Sequence, residues 1–455
     1  MSNVHFIAIG GQSMSGIARI LLSQGHSVSG SDVKASNLTE ELEKMGARIH
    51  IGHRAENLVS PDRVVVSSAI HEDNPELMEA KRRGIPVVHR MDMLLEAVSG
   101  KKLVAVAGSH GKTTTTSMIA WILVKAGKDP TYLVGGEFGK LGNARRGGGT
   151  YAVIETDESD GSFLKCHADV ALVTNIDNDH MEFWGSMDAL EKAFFDFLDG
   201  TRPGGTRVVC LDDELLRKWA ERSPDAVTYS VRFPAVWEVR DASMSGWRMK
   251  ARVFARSREV AMLDLGLIGM HNLANALGAV AAANACGVSP EEACSHMASF
   301  PGAKRRMERI GVHNGVLIVD DFSHHPSEVV AALKVLKSAF PEGRVIVVFQ
   351  PHRYARTRIL KDEFGKALSV ADAVFVTGIY AGPGENTELG VGSRLVSEAV
   401  ARTGHPDVRL IEDAAEACRE AALSARPGDV VVTMGAGDVW KHHGAIQEVL
   451  LRSRQ

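Results

Sequence analysis

The chain of 455 residues is long enough for two to four domains, each with a buried core. Its hydrophobic content of 45% and charged content of 24% are ordinary for a soluble globular protein. The net charge of −4, from 52 basic and 56 acidic residues, gives no reason to expect nucleic acid or an anionic membrane as a partner. No apolar run reaches the roughly eighteen residues of a membrane span, and no secretory signal is visible.

The five cysteines are scattered, odd in number and free of any CxxC spacing. They therefore predict reduced, mostly buried thiols in a cytoplasmic protein and argue against a metal–thiolate site. The cysteines are Cys166, Cys210, Cys286, Cys294 and Cys418.

The first 100 residues alternate short β-branched runs with helical stretches, which predicts a parallel, doubly wound sheet. The predicted strands are 4–9, 27–30 and 63–69, and the predicted helices are 14–24 and 75–83. The first turn contains Gly10, Gly11 and Gly16 and resembles a dinucleotide or nucleotide-sugar phosphate loop, with Asp32 placed for a ribose hydroxyl. A strict GxGxxG is missing, so a purely structural turn is an equal alternative.

The strongest local signal is a nucleotide-phosphate loop at 108–113. An apolar strand, 103–107, precedes Gly108-Ser-His-Gly-Lys-Thr113, and a helical stretch, 117–125, follows it. Such a turn presents backbone N–H groups and a helix N-terminus to phosphate. Lys112 would reach the β/γ-phosphates and the Thr113 hydroxyl would bind Mg²⁺, although Val106 replaces the usual first glycine. The segment predicts an ATP or GTP site.

Further polar groups follow the later strands of this region. The strands 151–154 and 170–176 run into the acidic segment Glu155–Asp160 and into Asp177–His180, which are hard ligands of the kind that Mg²⁺–ATP requires. Residues 230–265 predict hairpins, and an Ala-rich helix opens after Gly269. His271, Asn272 and Asn275 lie within one turn of it and could face a purine, with helix capping as the alternative for Asn272.

A third α/β region follows a predicted linker, 301–306, that carries Lys304, Arg305 and Arg306. Its predicted strands are 316–319, 345–349, 374–377 and 430–434, with a helix over 326–338. Polar segments follow the first two strands, at the sheet edge where α/β proteins bind ligands. They are Asp320-Asp-Phe-Ser-His-His-Pro326 and Gln350-Pro-His-Arg-Tyr-Ala-Arg356.

Taken in order, these motifs resemble those of the Mur ligases, the ATP-dependent enzymes that add amino acids to the UDP-linked peptidoglycan precursor. The resemblance covers the whole chain and is greatest for the members that join L-alanine, with 320–326 and 349–354 the most telling segments. Ala8 and Ser13 replace two glycines of the family's first loop, and Ser13 adds bulk where the backbone would approach a pyrophosphate. Phe322 stands where a tyrosine is common.

The resemblance implies three α/β domains. They are a Rossmann-like UDP-sugar-binding domain over 1–99, a P-loop ATPase-type domain over 100–306 and a Rossmann-like amino-acid-binding domain over 307–455. It also implies ATP and two Mg²⁺ ions as cofactors. UDP-N-acetylmuramate and L-alanine would be the substrates of a monomer or homodimer, and the sugar's lactyl carboxylate would react as an acyl phosphate.

The family's site residues carry over to matching positions. The implied catalytic residues are Lys112, His180, Arg306 and Glu155, and the implied metal ligands are Thr113, Glu155 and His180. ATP would contact Gly108, Ser109, His110, Gly111, Lys112, Thr113, Thr114, His271, Asn272, Asn275 and Asp321, the last orienting either ATP or the linker. The UDP-sugar would contact Gly10, Gly11, Ser13, Met14, Ser15, Asp32, Ser67 and Ser68. The amino acid would contact Phe322, His324, Arg353 and Arg356, the arginines pairing with its carboxylate.

Two other functions stay open. A related recycling ligase attaches a tripeptide to the same UDP-sugar, and a nucleotide-binding switch would hydrolyse ATP without ligating. An NAD-dependent dehydrogenase is disfavoured by the broken GxGxxG and the second phosphate loop.

Overall fold

A computed structural model describes residues 1–381, 385 and 390–452, except for the side chain of Glu182. The chain divides into two compact units. The first unit comprises Met1–Ala242, Lys250–Gly266 and Met270–Pro301, and the second comprises Ser243–Met249, Leu267–Gly269 and the chain from Gly302 onward. The backbone therefore passes between the units five times, after Ala242, Met249, Gly266, Gly269 and Pro301.

The first unit begins with a five-stranded parallel sheet in the order β3-β2-β1-β4-β5. Its strands are β1 Asn3–Ile7, β2 Ser27–Asp32, β3 Arg48–Ile51, β4 Arg63–Val66 and β5 Val87–His89. Its helices are α1 Gln12–Ser23, α2 Asn37–Lys44, α3 Pro75–Arg82 and α4 Arg90–Ala97. The predicted doubly wound α/β organisation is confirmed, and β3 and β5 were too short to stand out in the sequence pattern.

A buried carboxylate lies within this first sheet region. Glu76, in the first turn of α3, is fully buried and accepts hydrogen bonds from Ser31 Oγ at 2.6 Å and from Asn57 Nδ2 at 2.5 Å. His5 Nε2, also buried, lies 3.3 Å from the same carboxylate. Burial opposes the ionisation of Glu76, but the hydrogen bonds from His5, Ser31 and Asn57 outweigh it and lower the pKa below 4.5.

The rest of the first unit is built on a larger sheet, in the order β15-β14-β13-β12-β11-β10-β6-β9-β7-β8. The strands are β6 Lys102–Ala107, β7 Thr131–Leu133, β8 Ala144–Arg145, β9 Tyr151–Glu155, β10 Val170–Val173, β11 Thr206–Cys210, β12 Val227–Ser230, β13 Trp237–Ser245, β14 Arg248–Ala255 and β15 Arg258–Leu265. The helices are α5 Lys112–Lys125, α6 Met181–Trp184, α7 Met187–Asp199, α8 Glu214–Glu221, α9 Met270–Ala285 and α10 Pro290–Met297. The last three strands confirm the predicted hairpin region.

The loop that follows β6 is shorter than predicted because α5 begins at Lys112 rather than at 117. Its threonine-rich start is compatible with a helix because side-chain hydroxyls bond back to the preceding turn. Thr116 Oγ1 donates to the carbonyl of Lys112 at 2.8 Å, and Ser117 Oγ donates to that of Thr113 at 2.6 Å. The neighbouring strand β10 ends at Val173, three residues early, because Thr174 and Asn175 turn towards the phosphate loop.

The second unit contains a six-stranded sheet in the order β16-β17-β21-β18-β19-β20, parallel except for the antiparallel pair β16 and β17. The strands are β16 Glu308–His313, β17 Val316–Asp321, β18 Val345–Phe349, β19 Ala373–Val376, β20 Val408–Leu410 and β21 Val430–Met434. The helices are α11 Pro326–Ala339, α12 Tyr354–Ile359, α13 Lys361–Leu368, α14 Arg394–Arg402, α15 Ala414–Ser424 and α16 His443–Arg452. Alternate residues of the central strands enter separate hydrophobic clusters on the two faces.

The turn between β13 and β14 belongs to this second unit, although most of both strands belongs to the first. Met244 and Trp247 pack against its hydrophobic core, and the Trp247 ring lies 6.1 Å from that of Phe340. A short piece of chain from the middle of the sequence thus completes the core of the C-terminal unit.

The five cysteines are free and buried, as predicted. In the part of the chain that the structure describes, no helix is both long and apolar enough to cross a membrane.

The Glu76 cluster predicts a pH-dependent contribution to stability. We expect Glu76→Gln to lower the free energy of unfolding by about 3 kcal/mol near neutral pH, because it removes a buried charge from partners arranged to receive it. Since the folded pKa is lowered, the wild-type contribution is complete above pH 4.5 and is lost as the pH falls through the folded value. Urea unfolding at both ends of this range measures the effect.

Glu43→Gln, at an exposed position of α2, is the matched control and should leave the unfolding curve unchanged. A Glu76 variant whose deficit is the same at low and neutral pH would contradict the assignment of the effect to the carboxylate.

Candidate active site

The phosphate loop between β6 and α5 is held by hydrogen bonds from the segment that follows β10. Gly108 and Gly111 have positive φ angles of 135° and 81°. A Cβ atom on Gly108 would lie 2.0 Å from Thr174 Oγ1, so only glycine fits there. Thr174 Oγ1 and Asn175 Nδ2 both donate to the carbonyl of His110, at 2.6 and 2.9 Å. The loop is therefore shaped by its neighbouring strand.

The N–H groups of this loop fall into two sets. Those of Ser109 and His110 donate to the backbone and side-chain oxygens of Asn175, at 3.0 and 2.8 Å. Those of Lys112, Thr113 and Thr114 lie in the first turn of α5, where N–H groups have no partner within the helix. The start of α5 is thus the part of the loop that presents donors and positive potential to an anion.

Lys112 forms a buried ion pair with Glu158. Its Nζ lies 2.7 Å from Glu158 Oε1 and also donates to the carbonyls of Gly108 and Ser109. The two side chains are 16% and 2% exposed. Burial opposes the charge on Lys112, but the charge and hydrogen bond of Glu158 raise its pKa above the ordinary value. The ammonium group is therefore held cationic beside the phosphate loop.

Thr113 and Glu155 lie next to each other. Thr113 Oγ1 donates to Glu155 Oε1 at 2.9 Å, and the backbone N–H of Gly135 donates to Glu155 Oε2 at 2.6 Å. A hydroxyl and a carboxylate at the start of a phosphate-binding helix are the hard oxygen donors that suit Mg²⁺. These residues fit the metal role that the sequence predicts for them.

His180 lies near the Glu158 carboxylate, directly before α6. It adopts a left-handed backbone conformation, with φ of 56°. Its Nε2 is 4.0 Å from Glu158 Oε1 and 3.6 Å from Asp179 Oδ2. Glu158 thus connects Lys112 and His180, two residues predicted to be catalytic, although the sequence analysis gave Glu158 itself no role.

The predicted purine contacts lie on α9. A Cβ atom on Gly111 would lie 2.6 Å from Asn275 Oδ1, so the Asn275 amide packs directly against the phosphate loop. Asn272, one turn earlier, is also buried, whereas His271 is exposed. The structure therefore brings Asn275 next to Gly111 and leaves His271 open to solvent.

The first loop of the chain has the geometry of an anion site with a fixed acid behind it. Asp32 Oδ2 accepts from the N–H of Gly10 at 2.9 Å, and α1 begins at Gln12 with no side-chain cap. Ala8 takes the left-handed conformation expected of the family's glycine, with φ of 62°, which costs about 1 kcal/mol in a residue with a Cβ atom.

The remaining predicted sugar contacts differ in exposure. Ser13 is half-buried, whereas Met14 and Ser15 are buried in the first turns of α1, and Gly11 is exposed at its N-cap. Ser15 Oγ donates to the carbonyl of Gln12 at 3.0 Å. Ser15 therefore supports the loop from within the helix rather than facing a ligand.

Ser67 and Ser68 follow β4, and Ser68 belongs to a polar network that reaches the acidic segment. Asp160 accepts from Ser68 Oγ, and Arg90 Nη2 lies 3.0 Å from the same carboxylate and 2.8 Å from Asp157 Oδ2. Burial opposes ionisation of Asp160, but hydrogen bonds from His89, Ser162 and Ser68 and the charge of Arg90 hold its pKa well below the ordinary value. Arg90 was not predicted; its position, directly after a three-residue strand, gave no signal.

In the second unit, Phe322 is the centre of a cationic cluster. The guanidinium carbons of Arg305 and Arg306 each lie 4.9 Å from the centre of its ring. Asp321 is buried and accepts from the N–H of Met307 at 2.7 Å and from the N–H of Ser323 at 2.9 Å. Asp321 thus holds the segment just after the predicted linker, which favours the linker role over the ATP role. The phenyl ring of Phe322 thus contacts both guanidinium groups without the hydroxyl that a tyrosine would add.

Two of the predicted amino-acid contacts, Phe322 and His324, belong to a row of four neighbouring rings that continues with His352 and Tyr380. The His324 ring lies 5.3 Å from Phe322 and 5.9 Å from His352, which in turn lies 5.9 Å from Tyr380. Arg353 has a φ of 66°, and its N–H donates to the carbonyl of Tyr380 at 2.9 Å. Arg356 lies one turn later, near the start of α12. His352 and Tyr380 were missed, although His352 is part of a motif that the sequence analysis singled out.

Comparison with known proteins gives a consistent result over the whole chain. Three family models match in order: "Mur ligase family, catalytic domain" at residues 3–102, "Mur ligase middle domain" at 106–283, and "Mur ligase, glutamate ligase domain" at 305–437. A UDP-N-acetylmuramate–L-alanine ligase from Anaeromyxobacter dehalogenans is 43% identical over 96% of this chain and 95% of its own length. One from Myxococcus xanthus is 41% identical over 99% of this chain and 96% of its own length.

Solved structures agree. The crystal structure of a UDP-N-acetylmuramate–alanine ligase from Thermotoga maritima has a TM-score of 0.85 and 28% identity, covering 100% of this chain and 99% of that one. A murein peptide ligase from Psychrobacter arcticus has a TM-score of 0.72 and 25% identity, covering 99% of each chain. The three-domain α/β architecture and the family resemblance inferred from the motifs are both confirmed.

The Arg90 network predicts a structural role that a variant can test. We expect Arg90→Gln to lower the free energy of unfolding of the first unit by about 3 kcal/mol, because two carboxylates would lose the cation they share. Chemical denaturation followed by tryptophan fluorescence measures this loss.

Arg82→Gln is the matched control, since Arg82 makes an exposed ion pair with Glu79 and its side chain is 71% exposed. Equal effects of the two substitutions would show that the position of Arg90 between Asp157 and Asp160 is of no special importance.

Proposed function

The chain belongs to the Mur ligase family, and we propose that it joins L-alanine to the lactyl carboxylate of UDP-N-acetylmuramate in an ATP-dependent reaction of peptidoglycan precursor synthesis. The observation that carries the assignment is identity above 40% over nearly the full length of relatives with that activity in their names. We assign UDP-sugar binding to residues 1–99, ATP binding to 100–306 and amino-acid binding to 307–455.

The reaction requires a carboxylate to be made reactive, because oxide cannot leave when an amine attacks. The γ-phosphoryl group of ATP passes to the lactyl carboxylate, which gives ADP and an acyl phosphate. The amine of L-alanine then attacks the acyl carbon, phosphate leaves with the C–O bonding pair, and the amine loses two protons overall from its ammonium form. Phosphoryl transfer depends mainly on positioning and charge neutralisation.

The first unit supplies groups suited to the phosphoryl step. Lys112, held cationic by Glu158, would neutralise charge on the transferred group, and the N–H groups at the start of α5 would bind the phosphates. Asn275, packed against Gly111, would contact the nucleotide from α9. Arg306, which lies in the second unit, is the remaining cation to which we assign a catalytic role.

Mg²⁺ would be held by Thr113 and Glu155, with His180 assigned to a second ion. The support is the contact between the Thr113 hydroxyl and the Glu155 carboxylate, two oxygen donors at the phosphate-binding helix. When bound, the metal neutralises phosphate charge. The neighbouring Gly135 N–H fixes the other carboxylate oxygen, so the side chain is oriented before any metal arrives.

The second unit supplies groups suited to the amino acid. Arg353 and Arg356 would pair with its carboxylate, and Phe322 and His324 would line the site beside them.

A phosphate-release assay tests the proposal directly. With ATP and UDP-N-acetylmuramate present, we expect release to require L-alanine and to produce the alanyl sugar. Release that requires a tripeptide instead would identify the recycling ligase, and release without sugar or amino acid would identify a nucleotide switch. Glycine and L-serine in place of L-alanine measure how strictly the side chain is selected.

The Lys112–Glu158 pair predicts the consequence of losing the cation. We expect Lys112→Ala to lower kcat for ligation by about 10²- to 10³-fold, as for loss of one group that stabilises transition-state charge. Lys192→Ala removes an exposed lysine of the same unit and should leave kcat unchanged. Undiminished ligation by the Lys112 variant would overturn the proposed role.

The Thr113–Glu155 contact predicts a specific metal defect. We expect Glu155→Gln to raise the Mg²⁺ concentration needed for half-maximal phosphate release by at least about tenfold, since a neutral amide is a poorer ligand than a carboxylate. The measurement is a Mg²⁺ titration at saturating ATP and UDP-sugar. Glu221→Gln, at an exposed position in the same unit, serves as the control, and an unchanged titration for Glu155→Gln would remove Glu155 from the metal site.

A further inference from the structure

His352 is held rigidly at the edge of the sheet in the second unit. Its backbone pairs with that of Tyr380, since the Tyr380 N–H donates to the carbonyl of Pro351 at 2.8 Å and the Arg353 N–H donates to the carbonyl of Tyr380 at 2.9 Å. Its ring stacks on Tyr380 with an interplanar angle of 26° and meets the His324 ring edge-on at 89°. The imidazole therefore has a fixed orientation between two other rings.

One nitrogen of this imidazole is enclosed by protein. His352 Nδ1 is buried and has no hydrogen-bond partner among the described residues. A buried polar atom without a partner costs about 1–3 kcal/mol, so its retention needs a reason. With Nδ1 enclosed, we assign proton exchange to Nε2.

The neighbouring histidine has its proton fixed. His324 Nδ1 lies 3.1 Å from the carbonyl of Phe322 and 3.4 Å from the carboxylate of Glu328. Both partners can only accept, so Nδ1 of His324 is the donor and this ring is occupied in positioning. His352 makes no such bond in the described part of the chain, which leaves it as the imidazole able to change its protonation state.

The ligand proposed for this pocket brings a proton that must be removed. An amino acid enters as an ammonium ion, whose nitrogen has no lone pair with which to attack. Arg353, the residue after His352, and Arg356, about one helical turn further on, would hold the carboxylate, so the α-ammonium group would lie within the same small region. A neutral imidazole has the free lone pair that a proton acceptor requires.

We propose that His352 is a catalytic base that takes the first proton from the ammonium group of the bound amino acid at Nε2, which frees the amine to attack the acyl phosphate. This rests on the proposed function. The N–H bond breaks, its electron pair stays on the amine nitrogen, and the proton passes to the imidazole and later to solvent. The second proton leaves after the new C–N bond has formed.

The pKa of His352 depends on the charged groups around its ring, and therefore on whether the amino acid is bound. Burial is the largest cause that lowers the pKa of His352, to about 3, and His324, Arg356, Arg353 and Arg305 lower it further. Tyr380 stacks on the other face. A carboxylate that pairs with Arg353 and Arg356 would offset part of this positive charge and raise the pKa of His352. The imidazole is thus a stronger base when the amino acid is bound.

The test compares His352→Asn and His352→Gln with wild type in two reactions. In the first, hydroxylamine replaces the amino acid; it is neutral at about pH 7.5 and captures the acyl phosphate as a hydroxamate without a base. We expect both variants to form hydroxamate at the wild-type rate, which also shows that they are folded. In the second, with L-alanine, we expect kcat to fall by about 10²- to 10³-fold.

The pH profile separates a base from a structural residue. Without His352, ligation depends on the free amine in solution, so kcat/KM for L-alanine should rise about tenfold per pH unit above neutrality, whereas wild type should level off. A raised KM with an unchanged kcat and an unchanged pH profile would overturn the proposal and make His352 a positioning residue.

His313→Asn, on β16 of the same unit, is the control and should match wild type in both reactions. If wild type itself forms no hydroxamate from ATP and UDP-N-acetylmuramate, the proposed function fails, which is distinct from failure of the base.

Discussion

The buried ion pair between Lys112 and Glu158 is the interaction on which the nucleotide site depends. Neither charge is stable in that position alone, since Glu158 is almost fully buried and Lys112 nearly so. The acidic segment that contains Glu158 is in turn fixed through Asp157 and Asp160 to Arg90, and Asp160 also accepts from Ser68. The phosphate loop is therefore linked, through the acidic segment that contains Glu158, to Arg90 and to Ser68, a proposed sugar contact, within one compact unit.

The buried functional groups of the two units differ in their ionisation state. In the first, burial is balanced by opposite charge, so Lys112 and Asp160 stay ionised. In the second, burial and nearby arginines keep His324 and His352 neutral, with pKa values of about 4 and 3. Phosphoryl transfer requires fixed charge, whereas deprotonation of an incoming ammonium group requires an acceptor that is not already protonated. The division of electrostatics between the units therefore matches the proposed division of chemistry.

Much of this could be predicted from local sequence. Gly111-Lys112-Thr113 after an apolar strand identified the phosphate loop, and the order of the motifs identified the family and its three α/β regions. Glu158, Arg90 and His352 were given no role because each depends on a partner distant in sequence: Lys112 is 46 residues from Glu158, and Asp157 is 67 from Arg90. The early start of α5 was missed because the hydroxyl-to-carbonyl bonds that support its threonines are invisible to propensity.

The segment that joins β13 to β14 has a further consequence for how such a protein can change over evolutionary time. Because Met244 and Trp247 complete the core of the C-terminal unit, that unit is not encoded by one continuous stretch of its gene. Recombination at Pro301 would separate the last 154 residues, Gly302 to Gln455, from the seven residues of Ser243–Met249 that help to fill their interior. The unit should therefore change by substitution within it rather than by exchange of whole modules.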